Sequence, residues 1–330
     1  KINLAIEKGF LKCKGDLTAK NLSLRGGLLS DILSTDKARI KCDNKRLKIA
    51  DSNWRYGYWD ISTSAEIPFY KKDKTYIESS TYIKIKDFEH KPLALKIKLP
   101  ISIVNRRFIS GDLKANLNLD SFPLGALNPI LNASLSGKLD TNGDFYGPLS
   151  SLSSTIDFSL DYPQVNGIRL REEWRGTFNR VPNENKWGSL KMKSEGASIP
   201  GDLQINFNKD GNFNDLSLNR LGGKIKVNPK SNAFEWDANK FRLDRVEVAF
   251  PPEKSFKRIF GEVSGNGIFS IDPLFLNGEL NLDYFRLLGF KLKKASIKGQ
   301  IKNSETNLTG ELEPGENGKI KFDIKKKSEF

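Results

Sequence analysis

The 330-residue sequence contains very little of what most catalytic and metal sites need: one histidine, two cysteines and one methionine. The histidine, His90, is followed two residues later by a proline, which is typical of an exposed turn, so a serine or cysteine nucleophile lacks a convincing histidine base. Cys13 and Cys42, with one histidine and no close ligand spacing, exclude a structural zinc site. The two cysteines can pair, but they form no disulfide framework. We therefore expect a protein that is not an enzyme and holds no metal or cofactor.

Long apolar runs are also absent from the sequence. No segment approaches the ~18 consecutive apolar residues of a membrane-spanning helix. The sequence begins at Lys1 without a methionine or a signal peptide, and strand-like alternation is already under way in its first residues. We therefore expect an internal piece of a longer chain, with any targeting or anchoring segment outside it.

Positive charge is in excess, with a net charge of +14 and a pI of about 9.5. A nucleic-acid-binding protein usually gathers its basic residues on one face or helix. Here they are spread along the chain at alternate positions, as in Lys96 and Lys98 or Lys291 and Lys293. This spacing favours a solvated strand face that resists aggregation. Attraction to anionic lipid headgroups is the alternative.

The dominant pattern is a strict alternation of apolar and polar residues. It is clearest in residues 111–139, where two alternating segments flank a Phe-Pro-Leu connector. In the first segment an apolar residue stands at every second position from Leu113 to Leu119, and the positions between them are the polar residues Lys114, Asn116 and Asn118. A period of two predicts β-strands with one apolar face and one solvated face.

Most of the chain repeats this arrangement, which predicts about twenty strands at the usual spacing of strand and turn. Asn142-Gly143, Asp210-Gly211 and Asn317-Gly318 each separate strand-like runs and predict type I′ hairpin turns. No long amphipathic helix is predicted. The short helical segments that we expect are Ser30–Leu33, Leu124–Leu131, Pro251–Phe260 and Pro273–Phe275.

A Gly-charged-Leu pattern recurs at irregular intervals, for example at Gly111-Asp112-Leu113 and Gly278-Glu279-Leu280. Glycine within a strand marks a bulge, a bend or a close approach of backbones. Repeated bends are what a long, coiled antiparallel sheet needs. With few helices to cover it, the apolar face can be buried in a sandwich, in a closed barrel, or in an open trough that holds a lipid-like ligand.

Residues 111–178 resemble the TamB family of translocation and assembly module proteins, which belongs to the AsmA-like group. The resemblance depends on two Gly-x-Leu strands, the Phe-Pro-Leu connector, the step Gly147-Pro148-Leu149 and the strand start Gly167-Ile168. Residues 276–312 look like a further unit, whereas residues 1–110 match only in the style of their strands. The lysine- and asparagine-rich composition is similar to that of cyanobacterial and plastid inner-envelope members. We expect β-groove repeats in 1–110 and 111–330 that form one continuous structure.

This resemblance implies an all-β fold in which a long coiled antiparallel sheet forms a taco-like, elongated groove with a few short helices. It also implies a place in the periplasm or intermembrane space, an inner-membrane anchor outside this segment, and a barrel protein of outer-membrane assembly as partner. The implied function is phospholipid transport between the inner and outer membranes in support of outer-membrane biogenesis. The family has no catalytic residues to carry over, and nucleic acid is not expected as a partner.

Two alternatives stay open. Exposed strand edges can pair with the strands of outer-membrane proteins, which would make the chain an assembly scaffold or chaperone. A β-helix that binds or cleaves polysaccharide would need paired carboxylates or clustered aromatics, and Glu172-Glu173-Trp174 and residues 54–59 are the candidates. Adjacent strand residues face opposite sides, however, so Glu172 and Glu173 make a poor acid–base pair.

If the groove carries lipid, its apolar positions form the site. The predicted groove residues are Leu113, Ala115, Leu117, Leu119, Leu131, Ala133, Leu135, Ile156, Phe158, Leu160, Leu203, Ile205, Phe207, Phe234, Trp236, Leu280, Leu282, Ile297 and Ile301. Each of them, taken alone, also fits an ordinary core position.

Overall fold

A computed structural model describes residues 2–7, 10–26, 29–43, 46–57, 59–68, 75–85, 89, 91–104, 107–128, 134–148, 150–182, 186–196, 200–250, 255–270, 274–302, 305–315 and 318–326. In these residues the chain consists almost entirely of β-strands, 24 in number, and the 3₁₀ turn Leu124–Leu127. The strand pairs are antiparallel wherever their register is defined. The prediction of an all-β antiparallel fold is confirmed.

The chain divides into two compact units. The first comprises Lys1–Leu160 and Phe178–Pro182, and the second comprises Asp161–Thr177 and Asn183–Phe330. This division falls within two strands, β11 (Ser153–Val165) and β13 (Glu173–Arg180). The predicted division at residue 110 instead follows the extent of the family resemblance. That the predicted repeats form one continuous structure stays a prediction.

The first unit contains the strands up to β10 and the beginning of β11. They are β1 Ile2–Glu7, β2 Phe10–Gly26, β3 Leu29–Asp43, β4 Arg46–Tyr56, β5 Trp59–Pro68, β6 Thr75–Ile85, β7 Leu93–Val104, β8 Arg107–Ser110, β9 Leu113–Pro123, β10 Leu135–Gly147 and β11 Ser153–Val165. Each strand from β1 to β7 pairs with the next along the chain. β7 then pairs with β8 and β9, and β9 pairs with β10. This is a meander, which the period-two pattern and the short connections favour.

The second unit contains the remaining strands, apart from residues 178–180 at the end of one of them, which belong to the first unit. They are β12 Ile168–Leu170, β13 Glu173–Arg180, β14 Lys186–Glu195, β15 Asp202–Asn208, β16 Phe213–Arg220, β17 Gly223–Lys230, β18 Ala233–Arg242, β19 Val246–Phe250, β20 Ser255–Ser270, β21 Phe275–Leu287, β22 Phe290–Lys302, β23 Glu305–Glu313 and β24 Ile320–Lys326. Antiparallel pairs lead from β14 to β18, from β18 to β20, and from β20 to β24.

The sheet of the second unit returns to its own beginning. β18 pairs with residues 262–269 of β20, and β19 continues along β20 by pairing with residues 255–259. β19 also pairs with β12, which precedes β13 by two residues. β13 lies beside β14, because a Cβ at Gly176 would collide with the backbone of Lys191 and Met192. These pairings therefore close a ring that leads from β13 through β14, β15, β16, β17 and β18 to β19, and from β19 back to β12. One edge of β20 pairs with β18 and β19, and β21–β24 extend the sheet from its other edge.

Several local predictions were wrong. Asn142-Gly143 is not a turn but lies inside β10, paired with residues 117 and 118 of β9. A Cβ at Gly143 would lie 3.2 Å from the side chain of Ile156, so close packing rather than turn geometry explains the glycine. Ser30–Leu33 lies within β3, and Pro251–Phe260 is not a helix where it is described, because residues 255–260 pair with β19.

Other local predictions hold or cannot be followed to their ends. Asp210-Gly211 does lie in the connection between β15 and β16, but the turn is not the predicted type I′, because only Gly211 has a positive φ, +82°. The Asn208 side chain accepts hydrogen bonds of 3.0 Å from the backbone of Asp210 and Asn212. The helix predicted at Leu124–Leu131 is the 3₁₀ turn. Residues 129–131, and Pro273 and Asn317 of the other predicted elements, lie outside the described residues, and Phe275 begins β21.

Candidate functional site

The predicted groove residues of β9 and β11 in the first unit share one face of the sheet, whereas Leu135, at the start of β10, precedes the residues whose register is defined. Leu113, Ala115 and Leu117 lie at alternate positions of β9, and the register carries this face onto both neighbouring strands. The cross-strand rows are Leu95, Leu117 and Gly143, and Ile97, Ala115 and Phe145. The contact geometry of Gly143 places Ile156 of β11 on the same face, and alternation adds Phe158 and Leu160. Leu131 and Ala133 lie outside the described residues.

The same face continues through the other strands of the first unit. Cross-strand rows of mostly apolar or small residues run from β6 to β2, and examples are Ile83 with Leu93, Ile61 with Ile85, Leu47 with Cys42, and Ala19 with Ala38. Cross-strand pairs of this kind are the unit from which a sheet gains stability. We call this surface the apolar face of the first unit.

A small core closes part of this face. The 3₁₀ turn places Ala126, which is fully buried, against Ile85 and Phe122. Leu119 and Leu139 pack on the same cluster, as does Trp59, whose indole N–H donates a hydrogen bond of 2.9 Å to the carbonyl of Ala126. Leu119 is thus a core residue of the first unit as well as a predicted groove residue.

The described aromatic residues among 54–59 do not form an exposed platform for sugar. Trp54 and Tyr56 are half-buried, and the Trp54 indole donates to the hydroxyl of Ser52 at 2.6 Å. Trp59 belongs to the core cluster. Tyr58, like His90, lies outside the described residues.

In the second unit the predicted groove residues again share one face. In the ring, Leu203 and Ile205 pair with Leu218 and Leu216. The same face continues across β20 to β24. Its cross-strand rows include Val227 with Trp236, Phe234 with Phe269 and Leu276, Gly265 with Leu280 and Ile297, Val263 with Leu282 and Ala295, and Leu276 with Ile301. We call this surface the apolar face of the second unit.

Glycine brings the backbones of this face close together. Gly267 and Gly278 are cross-strand partners, and a Cβ at Gly278 would lie 2.9 Å from the Cα of Gly267. The indole of Trp236 covers Gly267, since its nitrogen would lie 2.8 Å from a Cβ built there. The sequence pattern that predicted bends is thus explained here by close approach.

Aromatic rings form a row at one end of this face. Phe213 and Phe234 contact edge to face at a centroid distance of 5.7 Å, and Phe234 lies 5.3 Å from Phe269. Phe207, another predicted groove residue, pairs with Phe213 and contacts Trp187 at 5.9 Å. Aromatic contacts of this geometry stabilise a sheet beyond the area that they bury.

Most of the predicted groove residues are only half-buried. Leu113, at 9% exposure, is the one described member that falls in the buried set. This half-burial along one face of each sheet indicates that no second layer covers that face completely in the described residues.

A buried ion pair interrupts the apolar face of the second unit. Arg220 of β16 donates to a carboxylate oxygen of Glu172 at 2.8 Å, and both side chains are at most 2% exposed. A flat sheet would separate β13 from β16 by about 14 Å, so this contact requires that the ring curve with its apolar face inward. Trp174, Met192 and Phe241 are also buried on this face.

The ion pair is not fully satisfied. Arg220 also donates to the carbonyl of Asp244, and Arg245 lies 3.9 Å from the Glu172 carboxylate. Oε2 of Glu172, Nε and Nη1 of Arg220 and the indole nitrogen of Trp174 are buried without a hydrogen-bond partner. Breaking such a pair strongly destabilises a protein, because it leaves a charge buried alone. The sequence offered one signal for this site, the Glu172-Glu173 dipeptide, in which the two carboxylates do go to different partners.

The polar face of the second unit carries exposed ion pairs. Lys319 lies 2.6 Å from Glu311 and 3.6 Å from Glu313, at a surface depression of about 790 Å³. The hydrogen bond from Lys319 lowers the pKa of Glu311 and raises that of Lys319. In the first unit the hydrogen bond between Lys91 and Asp120 lowers the pKa of that carboxyl in the same way. Exposed pairs of this kind contribute little to stability.

The described part of the chain includes no helix long and apolar enough to cross a membrane. Among the same residues, no group of three or more histidine, cysteine, aspartate or glutamate side chains is placed to hold a metal ion. No family model, no curated protein and no solved structure matches the chain.

Proposed function

We propose that the apolar faces hold phospholipid acyl chains, and that the chain is a segment of a bridge that carries phospholipid between the inner and outer membranes. The observation that carries the proposal is the placement of the apolar residues. In each unit they form continuous cross-strand rows on one face, yet most of them stay half-buried.

Binding of an acyl chain to such a face needs no polar recognition. Burial of a methylene contributes about 0.8 kcal/mol, so six methylenes laid on these rows would contribute about 5 kcal/mol. Neighbouring rows have similar composition, so the barriers between adjacent positions of a chain would be low. The apolar face would thus bind phospholipid tightly, and each bound lipid could still move along the face.

The disulfide between Cys13 and Cys42 supports a location outside the cytosol. These cysteines lie in β2 and β3 with their Cα atoms 5.6 Å apart, and stable disulfides belong to oxidising compartments. We propose the periplasm or intermembrane space. An inner-membrane anchor outside this segment and a barrel protein of outer-membrane assembly are the partners that the family resemblance suggests.

The proposal is tested by native mass spectrometry and lipid extraction of the purified protein. Wild type is compared with Leu117→Arg in the first unit and Leu282→Arg in the second, and the matched controls are Asn118→Arg and Asn281→Arg on the opposite face of the same strands. We expect phospholipid with wild type and both controls, and its loss in folded protein that carries both leucine substitutions. Well-folded wild type without lipid would contradict the proposal.

A second function, pairing with strands of outer-membrane proteins, is favoured by one observation. In the described residues β24 pairs on one edge only, with β23, and Ile320 and Ile324 on it are half-exposed. Strand addition to such an edge is an established mode of peptide recognition, although Lys321 and Lys325 are of the type that protects an edge. Asp323→Pro would remove a backbone N–H donor of β24, and loss of client binding with lipid retained would favour this function.

A further inference from the structure

Three hairpins of the second unit end at the same end of its sheet. β11 and β12 are joined at Asn166-Gly167, β19 and β20 meet at the pair Phe250 and Ser255, and β21 and β22 are joined at Leu288-Gly289. The backbone N–H of Ala249 donates to the carbonyl of Gly167 at 2.8 Å, which places the first hairpin tip beside the end of β19. We call this region the hairpin end of the second unit.

The hairpin end exposes large apolar side chains. In the first hairpin Val165 and Ile168 are 51% and 52% exposed, and in the third Leu288 and Phe290 are 60% and 53% exposed. Because β12, β19, β20 and β21 are successive neighbours, the two apolar tips lie roughly 14 Å apart across the sheet. Tyr284, which is also exposed, stands four residues before Leu288.

Leu288 occupies a backbone position that leucine rarely adopts. Its φ is +51°, and that of Gly289 is +81°, as in a two-residue hairpin turn. Asparagine, aspartate and glycine are the residues that favour this position. The first hairpin has asparagine there, at Asn166 with φ +48°. A leucine that is both strained and exposed contributes little to packing, which points to a role at the surface.

Between the two apolar tips lies an excess of positive charge. Glu247 of β19 is approached by three arginines, Arg169, Arg171 and Arg258, the last two at 3.4 and 3.8 Å. One carboxylate therefore faces three guanidinium groups. Their side chains remain 36% to 57% exposed, while that of Glu247 is 7% exposed.

The third hairpin adds cations directly behind its apolar tip. Arg286 and Lys291 are cross-strand partners, and both are exposed. Like charges opposite each other destabilise a strand pair, so an anion placed between them would relieve the repulsion. Lys293 follows on the same hairpin and is also exposed.

The turns at the opposite end of the ring have different chemistry. β15 and β16 are joined through Lys209, Asp210 and Gly211, and β17 and β18 are joined at Ser231-Asn232. The described residues of these turns are polar or glycine. Leu274, in the connection between β20 and β21 at that opposite end, is also 54% exposed. What distinguishes the hairpin end is therefore the combination of several exposed apolar side chains with arginines.

We propose that the hairpin end of the second unit binds the surface of a bilayer that contains anionic phospholipid. Leu288, Phe290 and Ile168 enter the boundary between headgroups and acyl chains, and the arginines contact lipid phosphates. Apolar residues backed by lysine and arginine are the pattern by which proteins lie on such surfaces. This interaction is separate from the acyl-chain site on the apolar face and does not depend on it.

The experiment is flotation of the purified protein with vesicles of phosphatidylcholine and phosphatidylglycerol, mixed 3:1, compared with vesicles of phosphatidylcholine alone. The variant carries Leu288→Asn and Phe290→Thr, and asparagine suits the turn, so the fold is retained. The matched control is Leu221→Asn, because Leu221 has the same φ, +49°, and is also followed by glycine but is half-buried. We expect wild type and the control to float with the anionic vesicles, and the tip variant to bind these vesicles at least about tenfold more weakly.

A second variant and salt separate the two contributions. Replacement of Arg258 and Arg286 by glutamine should weaken binding to the anionic vesicles, as should a rise from 0.1 M to 1 M salt, which shortens the Debye length from about 10 Å to about 3 Å. Equal binding of wild type and the folded tip variant would overturn the proposal, as would no binding of wild type. If the folded tip variant binds only vesicles to which a membrane protein has been added, the hairpin end binds that protein and the proposal is overturned. The lipid-extraction test with Leu282→Arg has its own readout, so its outcome does not depend on the outcome of the flotation experiment.

Discussion

Arg220 is the residue on which the fold of the ring depends most. Its guanidinium is buried against Glu172 and the carbonyl of Asp244. We expect Arg220→Met to reduce the free energy of unfolding by about 3–5 kcal/mol, because Glu172 would be left buried without its main partner. Denaturation in urea, followed by tryptophan fluorescence, measures the change.

The control for this prediction is the double variant Arg220→Met with Glu172→Gln. It removes both charges, so we expect it to be more stable than the single variant. A single variant as stable as wild type would show that the pair has no part in closing the ring.

The lowered pKa of Glu311 gives a prediction that can be tested by titration with acid. The hydrogen bond from Lys319 holds the pKa of this carboxyl below its ordinary value. A lowered pKa in the folded protein stabilises it above the unfolded pKa, and this stabilisation is lost as the pH falls through the folded pKa. We expect the Glu311 midpoint, followed by carboxyl carbon NMR, to rise in Lys319→Gln. An unchanged midpoint would contradict the assigned cause.

At the scale of strands, the period-two pattern predicted most of the strands and which of their residues share a face, but it missed the strands at Ser30–Leu33 and at residues 255–260. Leu203 and Ile205 lie on one face because alternation within a strand is a local property. The partners of Glu172 could not be predicted, because Arg220 is 48 residues away and reaches it only after the ring has closed. Asn142-Gly143 misled for a related reason, since a glycine that packs against Ile156 looks the same in sequence as a turn glycine.

Glycine in strands gives a prediction at this scale. We expect Gly278→Ala to lower the free energy of unfolding by about 1–3 kcal/mol, because the added methyl group would collide with backbone atoms of Asn266 and Gly267. Gly315→Ala is the control, since nothing lies within 4 Å of a Cβ there. Thermal unfolding of both proteins tests this, and equal melting temperatures would contradict the close approach of β20 and β21.

The disulfide ties β2 to β3, and its removal gives a further prediction. Cys13 and Cys42 are separated by 29 residues, and closing a loop of that length lowers the entropy of the unfolded chain by an amount worth about 3–4 kcal/mol. We expect Cys13→Ser with Cys42→Ser to lose stability of that order. Wild type in a reducing buffer should match the double variant. If oxidised wild type and the double variant unfold at the same urea concentration, the two cysteines are not paired.

At the scale of the whole molecule, the central claim is that one face of the strands meets lipid and the other meets solvent. A photo-reactive benzoylphenylalanine at single positions tests it most directly. The face positions are Leu117, Leu203 and Leu282, and the matched positions on the opposite face are Asn118, Asp202 and Asn281. After irradiation in cells grown with labelled phosphate, phospholipid attached to the protein is measured on gels. We expect phospholipid adducts at the three leucine positions and none at their neighbours. Equal labelling on both faces, or no labelling of folded protein at the leucine positions, would contradict it.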